Sequence, residues 1–265
     1  MEKDRVDRSN LENWVASYAG CDGGNPDKSK IWLVGLEWGY AKKNKGQSDT
    51  EHKESVRSYY AKEMIPEING LKPNTSNDTF KLSDNIDYTF GRNTAKLITA
   101  IRGEKVESFY DFVQKVPDTE VSKLNLYPIA IPENNDSAWN QYNLDEITGL
   151  PTKQDYRDLC AQYRFPFFKK ELSKRSPHII LCLGTSHLAE FTQCFCQLDS
   201  TKSLKYKTFQ GESDSNKRNR YIYWHWINDN TLFVTTPFVM WASGLNSDYL
   251  LQEVGNHINQ LLSNK

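Results

Sequence analysis

The residues best suited to chemistry stand in short segments that directly follow apolar runs. Gly35-Leu36-Glu37-Trp38-Gly39 places a carboxylate between two glycines, just after Ile31-Trp32-Leu33-Val34. A carboxylate at the mouth of a dry site can orient a water or offset developing positive charge. The same residues also suit a plain strand-to-loop turn with a solvated Glu. Asn125 follows Leu124 and precedes Leu126-Tyr127-Pro128. Its amide offers a donor and an acceptor from one side chain, and it equally competes for backbone hydrogen bonds as a cap or turn residue. Leu183-Gly184-Thr185-Ser186-His187 and Thr235-Thr236-Pro237-Phe238-Val239-Met240-Trp241 complete the set. Neither G-x-x-x-x-G-K-[ST] nor G-x-G-x-x-G follows any of the runs, which ranks an unrelated doubly wound nucleotide-binding protein last. Cys194-Phe195-Cys196 with His187 has the residue types of a zinc site. Cysteines two apart on a helix face different ways, however, so buried structural thiols are expected.

These segments must be positioned by a set of buried strands. Strands are predicted over residues 30–35, 121–127, 179–183, 220–226 and 231–235. Short, nearly continuous apolar runs are what strands buried on both faces require. Helices are predicted over 9–19, over a stretch ending before Pro66, and over 92–103, 105–116, 153–176 and 247–262, with another starting near Ser186. Ser9 or Asn10 caps the first and Gly20 stops it. Pro128 should end the second strand, and Asn228-Asp229-Asn230 should turn a hairpin. Residues 132–152 read as a long polar segment. Strands alternating with helices imply an α/β protein, a three-layer α/β/α sandwich around a central, mostly parallel sheet, in one domain over 1–265. In such sheets ligands sit at the carboxyl ends of the strands, where the segments above fall.

Composition bounds the partners. A chain of 265 residues, 38% hydrophobic and 25% charged, can bury a core without disulfide staples and is not of the disordered class. Its apolar runs fall short of the roughly 18 residues a membrane span needs, and Met1-Glu2-Lys3-Asp4-Arg5 does not open a signal peptide, so a cytoplasmic protein is expected. Lys and Arg number 33 against 34 Asp and Glu, a formal net charge of -1, so any binding to nucleic acid must rest on a local patch. Five cysteines, an odd number, fit a reducing compartment.

Taken in order, the strand-end segments resemble the motifs of the uracil-DNA glycosylase superfamily. Its first motif reads G-x-D-P-Y, G-x-N-P-G or G-E-x-P-G in different branches, and Gly35-Leu36-Glu37-Trp38-Gly39 is similar, with Glu37 at the Asp/Asn position. Tyr88-Thr89-Phe90-Gly91-Arg92 looks like the F-x-G-R that carries the base-stacking aromatic, one residue tighter. Asn125 stands where the base-reading Asn ends a strand. Residues 177–187 resemble the strand closing in L-G-A-T, and Thr236-Pro237-Phe238 corresponds to H-P-S or N-P-S.

The resemblance implies a uracil-DNA glycosylase-like fold and a monofunctional DNA glycosylase. It would hydrolyse the N-glycosidic bond of a flipped base, with no metal or organic cofactor and with DNA as partner. Glu37 would orient the attacking water, Thr236 would face the leaving base, Phe90 would stack and Asn125 would read. Gly35, Leu36, Trp38 and Gly39 would line the pocket. Met240, Trp241, Ser243 and Leu245 belong to the segment that would wedge into the base stack. Phosphates would be met by Lys217, Arg218 and Arg220, or by Lys42, Lys43 and Lys45. Thr236 departs from the usual His, Glu37 is one methylene longer than Asp, Trp38 replaces Pro, and Phe238 replaces Ser. Gly39 stands where one branch has a Tyr that blocks 5-substituted pyrimidines, so a modified or 5-substituted base is favoured over uracil. Cys21 stands alone and only Cys160 is placed like an iron–sulfur ligand, which argues against a cluster. The competing expectation is a non-catalytic nucleic-acid or nucleotide-binding module that kept the pocket and lost the electrophile.

Overall fold

The computed structural model describes residues 5–39, 46–71, 80–133, 135–196, 198, 201–212 and 217–265. Its strands are β1 (Ile31–Gly39), β2 (Val121–Ile131), β3 (Ile179–Leu183), β4 (Lys205–Phe209), β5 (Arg220–Trp226) and β6 (Leu232–Thr236). Its helices are α1 (Arg8–Val15), α2 (Asp49–Tyr59), α3 (Ile65–Ile68), α4 (Thr89–Ile101), α5 (Phe109–Lys115), α6 (Ser137–Gln141), α7 (Leu144–Thr148), α8 (Lys153–Arg175), α9 (Leu188–Phe195) and α10 (Asp248–Ser263). The strands form one six-stranded mixed sheet in the order β2-β1-β3-β6-β5-β4. β3 runs parallel to both β1 and β6, whereas β5 is antiparallel to β6 and β4 to β5. The protein is therefore α/β, and the hairpin at residues 228–230 forms as expected, with Asn228 Oδ1 accepting from the backbone N–H of Asn230 and Thr231. Among the described residues no helix is long and apolar enough to cross a membrane.

The chain groups into two compact units. One comprises Met1–Asp22, Leu36–Asn77 and Leu124–Glu171, the other Gly23–Gly35, Asp78–Lys123 and Leu172–Lys265.

In the second unit the continuous apolar runs are buried throughout: all of β3 and β6, and Ile31 to Val34 of β1. Alternate residues Ile31, Leu33, Ile179, Leu181, Leu232 and Val234 join one apolar core with Leu97 and Ile98 of α4 and Val254 and Ile258 of α10. α4 and α10 approach so closely that a Cβ added to Gly255 would lie 2.2 Å from Ala100 Cβ. A helix interior normally disfavours Gly, so its presence here marks the backbone approach.

In the first unit α8 carries the core. Tyr156 stacks on Trp139 with centroids 5.0 Å apart, and its hydroxyl accepts from Ile129 N–H. Arg164, fully buried, gathers the irregular segment after α1: it donates to the carbonyls of Val15, Ser17 and Ala19, to Cys21 Sγ, and to the carbonyl of Asn125.

Several boundaries differ from the sequence expectation, each for a local reason. α1 is capped by Asp7, whose side chain accepts from Asn10 N–H, and it stops at Val15 because Arg164 takes carbonyls that a longer helix would use internally. β2 runs on through Pro128 to Ile131. It lies at the end of the sheet order, where a missing N–H is tolerated. The helix expected to finish before Pro66 instead passes through a π turn (Tyr60–Met64) into α3, with Pro66 in the first turn, where it needs no donor. Residues 132–152 contain α6 and α7. β4 falls in none of the predicted strands; its sequence KYKTF buries only Phe209.

Two outcomes follow. Gly255→Ala gains about 1 kcal/mol of helix propensity yet forces α4 and α10 apart, so thermal or denaturant unfolding should show a net loss of about 1–3 kcal/mol. His257 of α10 lies 5.7 Å from the Phe209 ring and 5.0 Å from that of Trp224; burial, and then the charge of Lys207, lowers its pKa from 6.5. The unfolded chain therefore binds a proton that the fold resists, and stability falls as pH drops through the unfolded value. His257→Phe should make stability fall less steeply than in the parent between about pH 7.5 and 5.5, measured by denaturation at each pH.

Candidate functional site

Glu37 lies within β1, not in a loop after it, because the strand continues through Gly35 and Leu36 to Gly39. In the first unit its Oε1 accepts from Lys153 Nζ at 2.9 Å, with the two side chains only 7% and 1% exposed. Lys153 is the first residue of α8, whose start is capped by Thr152: Thr152 Oγ1 accepts from Asp155 N–H while Asp155 returns a carboxylate to Thr152 N–H. An ammonium at a helix N-terminus opposes the helix dipole, and burial adds to the cost; the Glu37 carboxylate compensates both. The pair gives Glu37 a fixed place and offsets the negative charge that a bare carboxylate would present to a cationic sugar. Further along α8, burial pushes the Cys160 thiol up to about 12, against the opposing influence of Arg164, and raises Tyr156 well above its ordinary value. Cys160 is thus a thiol and not a nucleophile.

Of the other first-motif positions, Gly35 and Leu36 are half-buried. Gly39 is exposed, and a Cβ added there meets nothing within 4 Å. The Trp38 side chain, and Lys42, Lys43 and Lys45, lie outside the described residues.

Asn125 sits mid-strand and is 2% exposed. Its Nδ2 donates to Gly20 O at 2.8 Å and to Asp22 Oδ2 at 2.9 Å. An amide nitrogen has two protons, so both are spent within the unit, and the main-chain oxygen of the same residue is held by Arg164. The expected base-reading role, which needs a donor turned toward a ligand, is not provided by this arrangement. Asn125 ties residues 20–22 to β2.

The remaining expected residues belong to the second unit. Thr236 ends β6, is fully buried, and its hydroxyl donates to Pro237 O at 3.1 Å, so it presents no donor to a leaving group. Phe90, in the first turn of α4, stacks on Phe238 with centroids 5.2 Å apart, and Lys123 Nζ lies 5.3 Å from its centroid. Phe238 therefore occupies a ring expected to receive a base.

The segment after β6 is held by side chains and by its own backbone hydrogen bonds. Arg220, 1% exposed, donates to Gly244 O, Ala242 O and Arg218 O. Asn93 Nδ2 donates to Val239 O, Gly244 N–H to Trp241 O and Leu245 N–H to Phe238 O. A Cβ at Gly244 would lie 2.0 Å from the carbonyl oxygens of Phe238 and Met240, so only glycine closes the loop. Arg220 is thus an internal staple, not a phosphate contact, and Leu245, fully buried, is not a wedge. Met240 is half-buried; Ser243 and Arg218 are exposed. Trp241 is 62% exposed at φ +67, a conformation that costs an L-residue about 1–2 kcal/mol.

No family model matches the chain, and no curated protein matches it.

Lys153, Arg164 and Asp22 were not singled out by motif reading. Lys153 carried a signal, a basic residue opening a helix where an acid is usual. Arg164-Phe165-Pro166 carried a weaker one, a charge amid residues destined for the core. Removing one partner of the buried pair should be far worse than removing both: Glu37→Leu or Lys153→Met alone should cost about 3–5 kcal/mol, and the double variant should recover most of it, as measured by chemical denaturation.

Proposed function

We propose that this chain is a DNA-binding protein of uracil-DNA glycosylase-like, three-layer α/β/α architecture. It engages a strand by pushing Trp241 between bases and does not depend on base release. The observation that carries this reading is the loop over 237–245. A buried arginine, an asparagine and an obligatory glycine fix it, and what they hold out is an exposed indole on a strained residue. Strain of this kind persists where surrounding structure over-determines it, and it concentrates at functional sites. An apolar wedge exchanges unstacking of bases for burial of an aromatic ring, and a pre-set loop loses little freedom in doing so.

The groups expected to release a base are committed elsewhere: Asn125 to Gly20 and Asp22, Thr236 to Pro237, and Glu37 to Lys153. This favours a binding module over an enzyme. Hydrolysis of an N-glycosidic bond, with DNA glycosylase activity on a modified or 5-substituted pyrimidine, is the second reading. The burial of a carboxylate toward the end of β1 favours it, since burial is how such groups are kept for chemistry.

A panel of single- and double-stranded oligonucleotides carrying uracil and 5-substituted pyrimidines separates the two. Salt-sensitive binding that Trp241→Ala weakens about 5- to 100-fold, with no alkali-revealed strand breakage, is the expected result. Breakage by the parent protein that Glu37→Gln abolishes would replace it with the enzymatic reading.

A further inference from the structure

β4, the strand that motif reading missed, pairs with β5 so that Tyr206 lies directly opposite Tyr223 and Thr208 opposite Tyr221. Side chains alternate between faces along a strand. Tyr206, Tyr221 and Tyr223 therefore share one face, and their rings form a closed triangle. The centroids are 6.3 Å apart for Tyr206–Tyr221, 6.1 Å for Tyr206–Tyr223 and 6.4 Å for Tyr221–Tyr223. Large aromatics on a sheet usually go to the core, as Phe209 and Trp224 do on the opposite face. Here Tyr206 is 63% exposed and Tyr221 40%.

The segment around these rings is basic. Residues 201–218 carry Lys202, Lys205, Lys207, Lys217 and Arg218 against Glu212 and Asp214, in a chain whose net charge is -1. Lys205, Lys207, Lys217 and Arg218 are exposed. Lys205 and Lys207 flank Tyr206 in sequence but share the opposite face with Phe209, and Lys207 Nζ lies 5.0 Å from that ring's centroid; the exposed Lys217 and Arg218 belong to the segment that leads into β5, which carries Tyr221 and Tyr223. Flat rings for bases beside cations for phosphates make up the recognition chemistry of an unpaired strand, whose bases are free to stack. A duplex keeps its base faces covered by neighbouring pairs and offers this triangle only its backbone.

We infer that the Tyr206–Tyr221–Tyr223 face is a stacking platform for single-stranded DNA, with Lys217 and Arg218, just ahead of β5, meeting the backbone. The inference rests on the DNA-binding reading above and gives it a strand state. It also places a second aromatic element on β4 and β5, apart in sequence from the loop that carries Trp241.

The test is fluorescence anisotropy of the full chain with a labelled oligothymidylate of about 15 nucleotides, beside the matching duplex and oligouridylate. Tyr206→Ala and Tyr221→Ala should each weaken oligothymidylate binding about 5- to 100-fold at unchanged thermal stability, while Tyr206→Phe, which keeps the ring, should bind as the parent does. Arg218→Ala should lower the salt dependence by about one phosphate's share. If both alanine variants bind as the parent does while Trp241→Ala does not, the platform is refuted and the DNA-binding reading stands. If the parent binds none of the probes, both fall. Equal or tighter binding to the duplex or to oligouridylate overturns the assignment to single-stranded DNA.

Discussion

A buried guanidinium is the constraint on which the first unit depends. Taking a charge out of water is costly unless every donor finds an acceptor, and Arg164 finds its acceptors in the main chain of residues 15–19, Asn125 and the sulfur of Cys21. Charge-assisted bonds of this type are stronger than neutral ones, so a segment with little regular structure is fixed by side-chain hydrogen bonds. The end of α1, the course of residues 16–22 and the position of Asn125 in β2 all follow from one side chain on α8. Asn125 then repeats the operation on a smaller scale by holding Gly20 and Asp22.

Arg220 solves the same problem in the second unit. There the irregular segment follows β6, and the fork collects the oxygens of Ala242 and Gly244 and, on its own strand's approach, of Arg218. Both arginines are interior scaffolds, and their planar forks suit carbonyls that no ladder can satisfy. The results differ in what is left outside. Around Arg164 the stitched segment is buried or half-buried throughout, whereas around Arg220 the stitching leaves Trp241 on the surface. Exposure of a large indole at a left-handed backbone position is therefore specified by structure and is not a leftover of imperfect packing.

Much of the architecture was legible because burial writes directly into sequence. Runs such as Ile179-Ile180-Leu181-Cys182-Leu183 and the turn at Asn228-Asp229-Asn230 admit few alternatives. What was illegible was tertiary. Pro128 reads as a stop until its strand is known to end the sheet order, and Pro66 reads as a helix end until a π turn resets the ladder before it. KYKTF in β4 shows alternation too short to register beside its polar flanks. At the candidate site the residue types of Glu37, Asn125 and Arg220 were suggestive, but a motif states only which groups are near a strand end. Whether a donor points outward or is consumed by Gly20, Asp22 or Gly244 depends on chain distant in sequence.

The free thiols carry one more consequence. Cys21 and Cys160 lie in the first unit and Cys182, Cys194 and Cys196 in the second, and all of them are buried. Burial raises the pKa of Cys21, Cys160 and Cys182, which starves them of reactive thiolate. Alkylation of any of these sulfurs has to wait for its surroundings to open, so the wild-type chain carries its own clocks: the labelling rate at each cysteine, resolved by mass spectrometry, times how often each half of the molecule breathes.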